Sequence, residues 1–406
     1  MKILMLSPEY PPHVVGGLGK HVCELAEHLV KEGIEIYIVT PGYPGSPGQE
    51  VINGVKIIRA PLYQVNPLGF VDSVLQSNLG LVEAGAALLN RVGGFSLIHA
   101  HDWLVGFAAK TLKHSFKLPL LTTIHATEQG RNRGIHNELQ NYIHNAEWLL
   151  TYEAWKIVCC SQHMKEEVER VFALPQDKIV ILPNGVDTKK YEEKEELGDF
   201  RNNYAASQEK IVLFVGRLVH EKGAHILLEA FPGILAATPE AKLIIVGKGG
   251  EKAALEEKAK QLGISHKVYF TGYLADQDLL RLYKCADVAV FPSLYEPFGI
   301  VALEAMASGT PVIISDTGGL KEIIVDGLEG LKVYPGDSWT LREKIINVLQ
   351  NQKLAKTLAA QAKQKVKAAF EWQKIALDTK NVYLDVEEKW KKSSWISQIE
   401  NAIGLE

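Results

Sequence analysis

Short apolar runs of strand length alternate along this chain with longer segments whose apolar positions recur at helical spacing. The short runs are apolar on both faces, which is typical of parallel strands covered by helices on both sides of a sheet. This alternation predicts an α/β fold built from βα units. The predicted strands are Ile3–Leu6, Ile36–Thr40, Leu97–His99, Leu120–Ile124, Ile157–Cys160, Ile211–Val215, Lys242–Val246, Val268–Thr271, Val288–Phe291 and Val312–Ile314, and the predicted helices include His21–Glu32, Ala224–Leu235, Glu251–Leu262 and Asp276–Cys285.

The alternation occurs twice, and a polar stretch from Pro183 to Ala206 separates the two halves. Asn184-Gly185 is a turn signal, and Thr188–Glu196 is charged with little to bury. A chain of 406 residues is too long for one ordinary core and long enough for two domains. We predict one domain over residues 1–186, a second over 187–371, and closing helices over about 372–406 that pack back on the first.

The end of the chain is rich in lysine and alanine to about Phe370 and then carries Trp372, Trp390 and Trp395. Aromatic residues spaced through a helical segment indicate packing against another surface, which we expect to be the first domain. The lysines could instead contact a membrane surface, but the weak apolar stripe favours a solvated helix face. These lysines are Lys356, Lys363, Lys365 and Lys367.

Composition excludes several classes of partner. A formal net charge of -4 gives no overall attraction to nucleic acid or anionic lipid. The first apolar run meets Ser7, Pro8 and Glu9 too early for a signal peptide, and no run approaches the ~20 apolar residues of a membrane helix. We therefore expect a soluble, cytoplasmic protein; its oligomeric state is not indicated. The cysteines form no Cys-x-x-Cys pair, which argues against a disulfide framework or a thiolate metal site; they are Cys23, Cys159, Cys160 and Cys285.

The segment from Glu296 to Ala307 is the most informative, because it places two carboxylates around a glycine that can open a helix. Pro297 keeps Glu296 out of helical geometry, and Gly299 lets the backbone approach a ligand closely. A helix N-terminus binds anionic oxygens, while Glu296 and Glu304 can bind hydroxyl groups. Sugar nucleotides carry both kinds of group. The alternative, a capped helix with solvated glutamates, does not explain the Pro-Phe-Gly sequence after Glu296.

A second glycine-bearing loop, Gly216–Gly223, follows the first predicted strand of the second half. The Arg217 guanidinium can bind phosphate with two N–H groups, and Lys222 adds a point charge. Gly223 gives the backbone conformational freedom where the next helix begins. Either cation alone is more often a surface ion-pair partner. Both in one strand-to-helix loop, together with the Glu296 segment, predict a diphosphate site that needs no metal.

A glycine-rich run, Gly16–Lys20, lies between the first strand and the first helix, where a turn can bring backbone amides toward phosphate. It is not a P-loop, because Val14 and His21 occupy positions that require Gly and Ser or Thr, and it does not match G-x-G-x-x-G. A flexible connection is the alternative. Its place at the carboxyl end of the first strand favours ligand contact.

Histidines end two predicted strands of the first half. His99 and His101 point the same way by the period of two, but no third ligand follows at metal-site spacing, so packing at the strand end is favoured over a metal site. Asp102 and Trp103 suit a sugar, because a carboxylate binds hydroxyls and an indole covers a C–H face. His125 ends the next strand, where a structural hydrogen bond and a functional role both stay open.

These motifs, in this order, resemble the retaining glycosyltransferases of family four, which have the GT-B fold, and their glycogen and starch synthase relatives. The resemblance covers nearly the whole chain, and its hallmark is the carboxylate pair with seven residues between. It implies two Rossmann-like domains with parallel sheets facing a central cleft. The motifs are Ser7-Pro8-Glu9, Gly16-Gly17-Leu18-Gly19, His99-Ala100-His101-Asp102-Trp103, Ile124-His125, Pro183-Asn184-Gly185-Val186-Asp187, Gly216-Arg217-Leu218, Glu221-Lys222-Gly223, Glu296-Pro297-Phe298-Gly299 and Glu304-Ala305.

The resemblance implies a role for each matching residue. Glu296 would contact the 3-hydroxyl of the donor sugar and Glu304 the ribose. Arg217 and Lys222 would stabilise the departing diphosphate. His125 would lie beside the anomeric centre and the 6-hydroxyl. The other implied contacts are Gly17 to the phosphates, the amides of Phe298, Gly299 and Ile300 to sugar and phosphate, Val246, Gly247, Gly272, Tyr273 and Leu274 around the base, and Asp102, Trp103 and Arg131 on the acceptor side.

The implied reaction moves a sugar, with retention, from a nucleotide-diphosphate donor to a saccharide acceptor in polysaccharide or glycan biosynthesis. UDP-glucose is the expected donor, and no cofactor or metal is required. Val14-Val15 stand where glycogen synthases carry a lysine, which argues against bulk glucan elongation. Arg131, Arg133 and His136 could bind an acidic or sugar acceptor or form a solvated loop. A sugar-nucleotide epimerase of the same architecture and a non-catalytic sugar-nucleotide-binding protein stay open as alternatives.

Overall fold

The computed structural model describes residues 1–63, 66–192, 197, 199–393 and 395. It consists of two compact units. The N-terminal unit comprises Met1–Pro183 and the chain from Trp372, and the C-terminal unit comprises Asn184–Glu371. Parts of the predicted linker, at 193–196 and 198, lie outside the described residues, as do positions 394 and 396–406 of the predicted closing helices.

The N-terminal unit is built on an eight-stranded sheet. Its strands are β1 (Lys2–Leu6), β2 (Glu35–Pro41), β3 (Gln49–Ile52), β4 (Val55–Ala60), β5 (Leu97–His101), β6 (Leu120–Ile124), β7 (Lys156–Cys159) and β8 (Ile179–Ile181). The spatial order is β3-β4-β2-β1-β5-β6-β7-β8. Only β3 with β4 pairs antiparallel among these strands; the rest are parallel. The strand order therefore reverses between β1 and β5, which is where ligands bind in open α/β sheets.

The C-terminal unit contains a six-stranded parallel sheet. Its strands are β9 (Lys210–Val215), β10 (Ala241–Val246), β11 (Val268–Gly272), β12 (Val288–Phe291), β13 (Val312–Ser315) and β14 (Leu331–Val333). The order β11-β10-β9-β12-β13-β14 is that of a doubly wound nucleotide-binding fold. Here the reversal lies between β9 and β12. The predicted parallel α/β sheets are confirmed.

Helices flank both sheets. Those of the N-terminal unit are α1 (Gly17–Lys31), α2 (Phe70–Val92), α3 (Gly106–Phe116), α4 (Glu128–Asn132), α5 (Glu138–Glu153), α6 (Gln162–Phe172) and the closing α15 (Trp372–Lys391). Those of the C-terminal unit are α7 (Thr188–Glu192), α8 (Ala224–Ala237), α9 (Lys252–Gln261), α10 (Asp276–Cys285), α11 (Ile300–Ala307), α12 (Leu320–Ile323), α13 (Ser338–Gln350) and α14 (Gln352–Ala369). No described helix is long and apolar enough to cross a membrane.

The closing helix α15 completes the core of the N-terminal unit. Trp372 and Tyr383 are buried in the same apolar cluster as the strands β1 and β2. The Lys380 ammonium donates to the carbonyl oxygen of Glu32 at the end of α1, at 2.7 Å. Residues from the two ends of the chain therefore share one core.

Two of the predicted lysines, both in α14, pair with carboxylates of their own unit. Lys365 is 3.5 Å from Glu329, and Lys367 is 3.0 Å from Glu192. This pairing fits the predicted solvated helix face. The four cysteines are free thiols.

Candidate functional site

In the C-terminal unit, two loops meet where the strand order reverses. One follows β9 and contains a short helical turn, His220–Lys222; the other follows β12 and leads to α11. The backbone N–H of Leu294 donates to the carbonyl oxygen of Glu221 at 2.8 Å, which ties the loops together. The arrangement follows from the parallel sheet, because neighbouring strands end at the same edge.

Lys222 and Glu296 are joined directly. The Lys222 ammonium donates to Oε2 of Glu296 at 2.7 Å, and the Ser293 hydroxyl lies 3.3 Å from the same oxygen. Only 8% of the Glu296 surface is exposed. An ammonium has three N–H donors, so Lys222 can hold Glu296 and still donate to a phosphate. The structure thus brings together two residues that the sequence places 74 positions apart.

Arg217 lies at the start of the same loop and is exposed. Its Nη2 is 3.2 Å from Oε1 of Glu221, four residues later. Such exposed ion pairs contribute little to stability, so the guanidinium can exchange Glu221 for an anionic ligand at small cost. Two cations of this loop are therefore available to a diphosphate.

Gly223 is required by the close approach of the two loops. Its φ of +71° is in the left-handed region, and a Cβ there would lie 1.9 Å from the carbonyl oxygen of Pro292. No side chain fits at that distance. Gly223 therefore fixes the position of Lys222 against the loop that carries Glu296.

The helix α11 begins directly after Gly299, whose φ of +109° is another left-handed value. The N–H of Ala302 donates to the Gly299 carbonyl at 3.0 Å, so the amides of Ile300 and Val301 precede the hydrogen bonds of the helix and can bind oxygen atoms of a ligand. Glu304, by contrast, is 2% exposed and accepts a hydrogen bond from the Tyr283 hydroxyl at 3.0 Å. Burial, and then the charge of Glu304, raise the pKa of Tyr283 well above its usual range, so the hydroxyl stays a donor. Phe298 is buried against Phe370.

The residues predicted around the base lie at the ends of β10 and β11, beside the end of β9. The N–H of Gly216 donates to the Val246 carbonyl at 3.0 Å, and the N–H of Gly247 donates to the Gly272 carbonyl at 2.8 Å. Tyr273 is 64% exposed, and Leu274 is half-buried. The structure therefore gathers these residues at the edge of the sheet that also carries Lys222.

In the N-terminal unit, Glu9 folds the glycine-rich turn. Its Oε1 accepts the N–H of Gly19 at 3.0 Å, and its Oε2 accepts the N–H of Val15. The helix α1 begins at Gly17, four residues before the predicted start, because Gly16 is an extended N-cap and the glycines form the first turn. Gly17 is exposed there. The sequence motif contained Glu9, but its hydrogen-bonding role was not predicted.

Asp102 positions His125. Its carboxylate accepts the backbone N–H of His125 at 2.8 Å, and Asp102 itself has a φ of +61°, which is uncommon for a residue with a Cβ. Burial raises the pKa of Asp102 to about 7, although the hydrogen bond from His125 opposes the shift. Asp102 thus holds the turn after β6, and its acceptor-side role stays a prediction.

Three histidines of this unit lie together. His101 donates to or accepts from His125 across 3.3 Å, and the His21 ring meets the His125 ring edge-on at 4.8 Å between centroids. Burial lowers the pKa of His101 and of His125 well below the usual range, and neighbouring histidines lower both further. His99 is different: its ring bonds the hydroxyls of Tyr383 and Thr123, both at 2.8 Å. His99 is thus bound within the fold, as strand-end packing predicts.

The other two acceptor-side residues have different surroundings. Trp103 is 7% exposed and packs edge-on against Phe70, so its ring belongs to a small apolar cluster. Arg131 is half-buried, and its Nη1 is 3.1 Å from Oε2 of Glu128. Their acceptor-side roles stay predictions.

A buried carboxylate that was not predicted interacts with Asp102. Glu147 is 2% exposed and accepts the N–H of Glu128 at 2.9 Å. Burial, and then the neighbouring Asp102, raise the pKa of Glu147 to about 9. Because Glu147 lies inside an amphipathic helix, its sequence context carries no signal for this role.

Asp102→Asn should reduce the pH dependence of stability. The folded pKa of about 7 lies above the ordinary value of 3.8, so between these values the folded state binds more protons than the unfolded state. The free energy of unfolding therefore falls as pH rises through this window, by roughly 2–4 kcal/mol. Urea unfolding at about pH 4 and pH 8 should show a smaller fall in Asp102→Asn, which keeps an oxygen acceptor for His125. Equal falls in both chains would contradict the assignment.

Sequence comparisons identify the family. The family described as Glycosyltransferase Family 4 matches residues 15–190, and the family described as Glycosyl transferases group 1 matches residues 198–365. An uncharacterised glycosyltransferase of Methanocaldococcus jannaschii is 39% identical over 396 residues, covering 94% of this chain and 98% of the relative. A glycogen synthase of Mycobacterium tuberculosis is 34% identical over 399 residues, covering 95% of this chain and 94% of the relative.

Among solved structures, the sucrose-phosphate synthase of Thermosynechococcus elongatus is similar to the whole chain. The TM-score is 0.84 with 28% sequence identity, covering 95% of this chain and 98% of that one. These matches agree with the two doubly wound sheets and with the order of the sequence motifs. The chain belongs to the family-four glycosyltransferases, which have the GT-B fold and are related to the glycogen synthases.

Proposed function

We propose that this glycosyltransferase moves a glucosyl group from UDP-glucose to a saccharide acceptor, with retention of configuration, in cytoplasmic polysaccharide or glycan biosynthesis. The observation that carries the proposal is the direct pairing of Lys222 with the buried Glu296 where the strand order of the C-terminal sheet reverses. That pair puts a cation for phosphate beside a carboxylate for sugar hydroxyls. The relative described as a glycogen synthase supports glucose as the transferred sugar.

The main requirement of the proposed reaction is to stabilise the negative charge that forms on the leaving diphosphate. As the bond between the anomeric carbon and the β-phosphate oxygen breaks, negative charge grows on the phosphate. Lys222 and Arg217 donate to that charge, which stabilises the transition state more than the ground state. The two cations supply this stabilisation without a divalent metal. Asp276 and Asp278 lie in the first turn of α10. Carboxylates are common at helix N-termini, so this acidic pair does not by itself indicate a metal site.

The new glycosidic bond forms on the face of the sugar from which the diphosphate leaves. The acceptor oxygen bonds to the anomeric carbon, and the acceptor proton passes to the departing phosphate. His125, beside the transferred sugar, hydrogen-bonds its hydroxyl groups as a neutral imidazole, because burial disfavours the imidazolium. Asp102 holds the His125 backbone in place.

Glu296→Gln should raise the KM for UDP-glucose by roughly 10- to 100-fold, because a hydrogen bond to a charged acceptor is lost. Glutamine keeps an oxygen for the Lys222 ammonium, so the loop should stay in place. Affinity for UDP, which lacks the sugar, should be nearly unchanged in a calorimetric titration. A KM equal to that of the wild-type chain would refute the sugar contact.

The proposed reaction is tested with UDP-glucose in the presence of EDTA, with and without an oligosaccharide acceptor. Expected results are a transferred α-linked glucosyl product that requires acceptor, and thermal stabilisation by UDP-glucose above that by other nucleotide sugars. Conversion of the donor sugar without acceptor would instead indicate an epimerase. Stabilisation with neither reaction would indicate a binding protein.

A further inference from the structure

Three histidine side chains of the N-terminal unit converge although they come from distant parts of the sequence. His21 lies in α1, His101 ends β5, and His125 follows β6. Each ring offers one nitrogen atom, and the three nitrogens lie within 4.8 Å of one another. His21 and His101 are buried, and His125 is half-buried.

The spacing of the rings fits a single atom bound between them. The ring centroids are separated by 4.8 Å for His21 and His125, 5.5 Å for His21 and His101, and 5.6 Å for His101 and His125. Two imidazoles on one tetrahedral zinc, with bonds of about 2 Å, have centroids about 5 Å apart and nitrogens about 3.3 Å apart. The nitrogens of His101 and His125 are 3.3 Å apart.

The two nitrogens of the buried His101 ring have different surroundings: its Nδ1 lies 3.3 Å from Nε2 of His125. The Nε2 of His101 is inaccessible and finds no hydrogen-bond partner within the described part of the chain. A buried polar nitrogen without a partner is costly, and such a ring can carry its hydrogen on either nitrogen. With the hydrogen on Nε2, Nδ1 presents its lone pair toward His125 and can bind an ion there.

We propose that His21, His101 and His125 bind a divalent transition-metal ion, with zinc as the best fit. Three neutral imidazoles are a common zinc ligand set, and they leave a fourth position for water. Because His125 is the residue assigned to the donor sugar, the bound ion excludes the sugar and inhibits transfer. This inhibition rests on the proposed function; the binding of the ion does not.

A second group with possible ligands lies in the C-terminal unit and serves as a control. It consists of His220, His225 and Glu251. The rings of His220 and His225 are stacked, 10° from parallel, so their lone pairs do not point at one atom. His220→Gln removes any contribution from this group.

The test is a titration of the full His220→Gln chain with Co²⁺, without nucleotide sugar, followed by visible absorption. We expect the bands of tetrahedral cobalt with about one equivalent bound. Adding His101→Gln should weaken the apparent affinity by at least roughly tenfold. His21→Gln should do the same and serves if the His101 variant fails to fold by circular dichroism. His13→Gln, an exposed histidine against Tyr43, should leave the titration unchanged.

Octahedral or absent cobalt bands, or equal affinity in folded His101→Gln and His21→Gln chains, would overturn the metal site. The proposed inhibition by the bound ion is tested by adding Zn²⁺ to the transfer assay. The apparent KM for UDP-glucose should rise with zinc concentration. Cobalt binding at the three histidines without competition by UDP-glucose would overturn the inhibition and leave the binding intact.

Discussion

A Lys222→Ala chain should fold but turn over roughly 100- to 1000-fold more slowly than the wild-type chain, as expected for loss of one preorganised donor to developing charge. The ammonium is placed by the ion pair with Glu296 and by the loop that ends at Gly223. Removing the ammonium destabilises the transition state more than it destabilises the complex with UDP-glucose. We therefore expect kcat to fall more than the affinity for UDP-glucose. Steady-state kinetics and a calorimetric donor titration separate the two effects.

The stability of the variant must be known, because Glu296 is buried and loses a partner. We expect the free energy of unfolding to fall by roughly 1–3 kcal/mol, which urea unfolding measures. Lys252→Ala is the matched control, since Lys252 is exposed in the same unit and pairs only loosely with Glu256, at 3.5 Å. A folded Lys222→Ala chain with the kcat of the control would reject the assigned role.

Gly223→Ala should destabilise the C-terminal unit by roughly 3 kcal/mol or more and also reduce transfer. The added methyl would lie 1.9 Å from the Pro292 carbonyl oxygen, so the backbone must shift in addition to the strain of a left-handed alanine. That shift separates the loop of Lys222 from the loop of Glu296. Urea unfolding and transfer rate should therefore both change.

Gly263→Ala separates the cost of a left-handed alanine from the cost of the close contact with Pro292. Gly263 has nearly the same φ, +70°, but a Cβ added there would meet no heavy atom of the described residues within 4 Å apart from its chain neighbours. Only the conformational cost of roughly 1 kcal/mol should appear there, with no loss of transfer. If both alanine variants lost the same stability and the same activity, the close loop contact would not be what holds Lys222.

Most strands could be predicted because both faces of each are apolar. The bounds of β6 and β12 agree with the predicted ones. The antiparallel pair of β3 and β4 was missed, although Asn53-Gly54 between them is a strong hairpin signal. The edge strand β3 is largely exposed, so its sequence lacks the apolar run on which the prediction depended.

The grouping of the candidate phosphate-site residues into two loops could be predicted, because the members of each group lie within a few positions of one another in the chain. Arg217, Lys222 and Gly223 share one loop, and Glu296 and Gly299 share another. What unites the loops is the adjacency of β9 and β12, which local spacing does not reveal.

The surroundings of those residues were harder to predict, because they depend on tertiary contacts. Tyr283 bonds Glu304 from another helix, and His21 reaches His125 from α1. The spacing of His99 and His101 could suit a metal, but no third ligand follows them in the sequence at metal-site spacing. His21 and His125 belong to other elements of the chain, and only folding brings them close to His101.

The sharing of one core by both chain ends has a consequence for biosynthesis. A ribosome releases residues 1–183 long before α15 is made, yet Trp372 and Tyr383 are needed to fill the interior of that unit. The contiguous C-terminal unit can close as soon as Glu371 emerges, whereas the part translated first keeps apolar surface exposed until α15 emerges. The earliest-made unit is thus the last to complete its core.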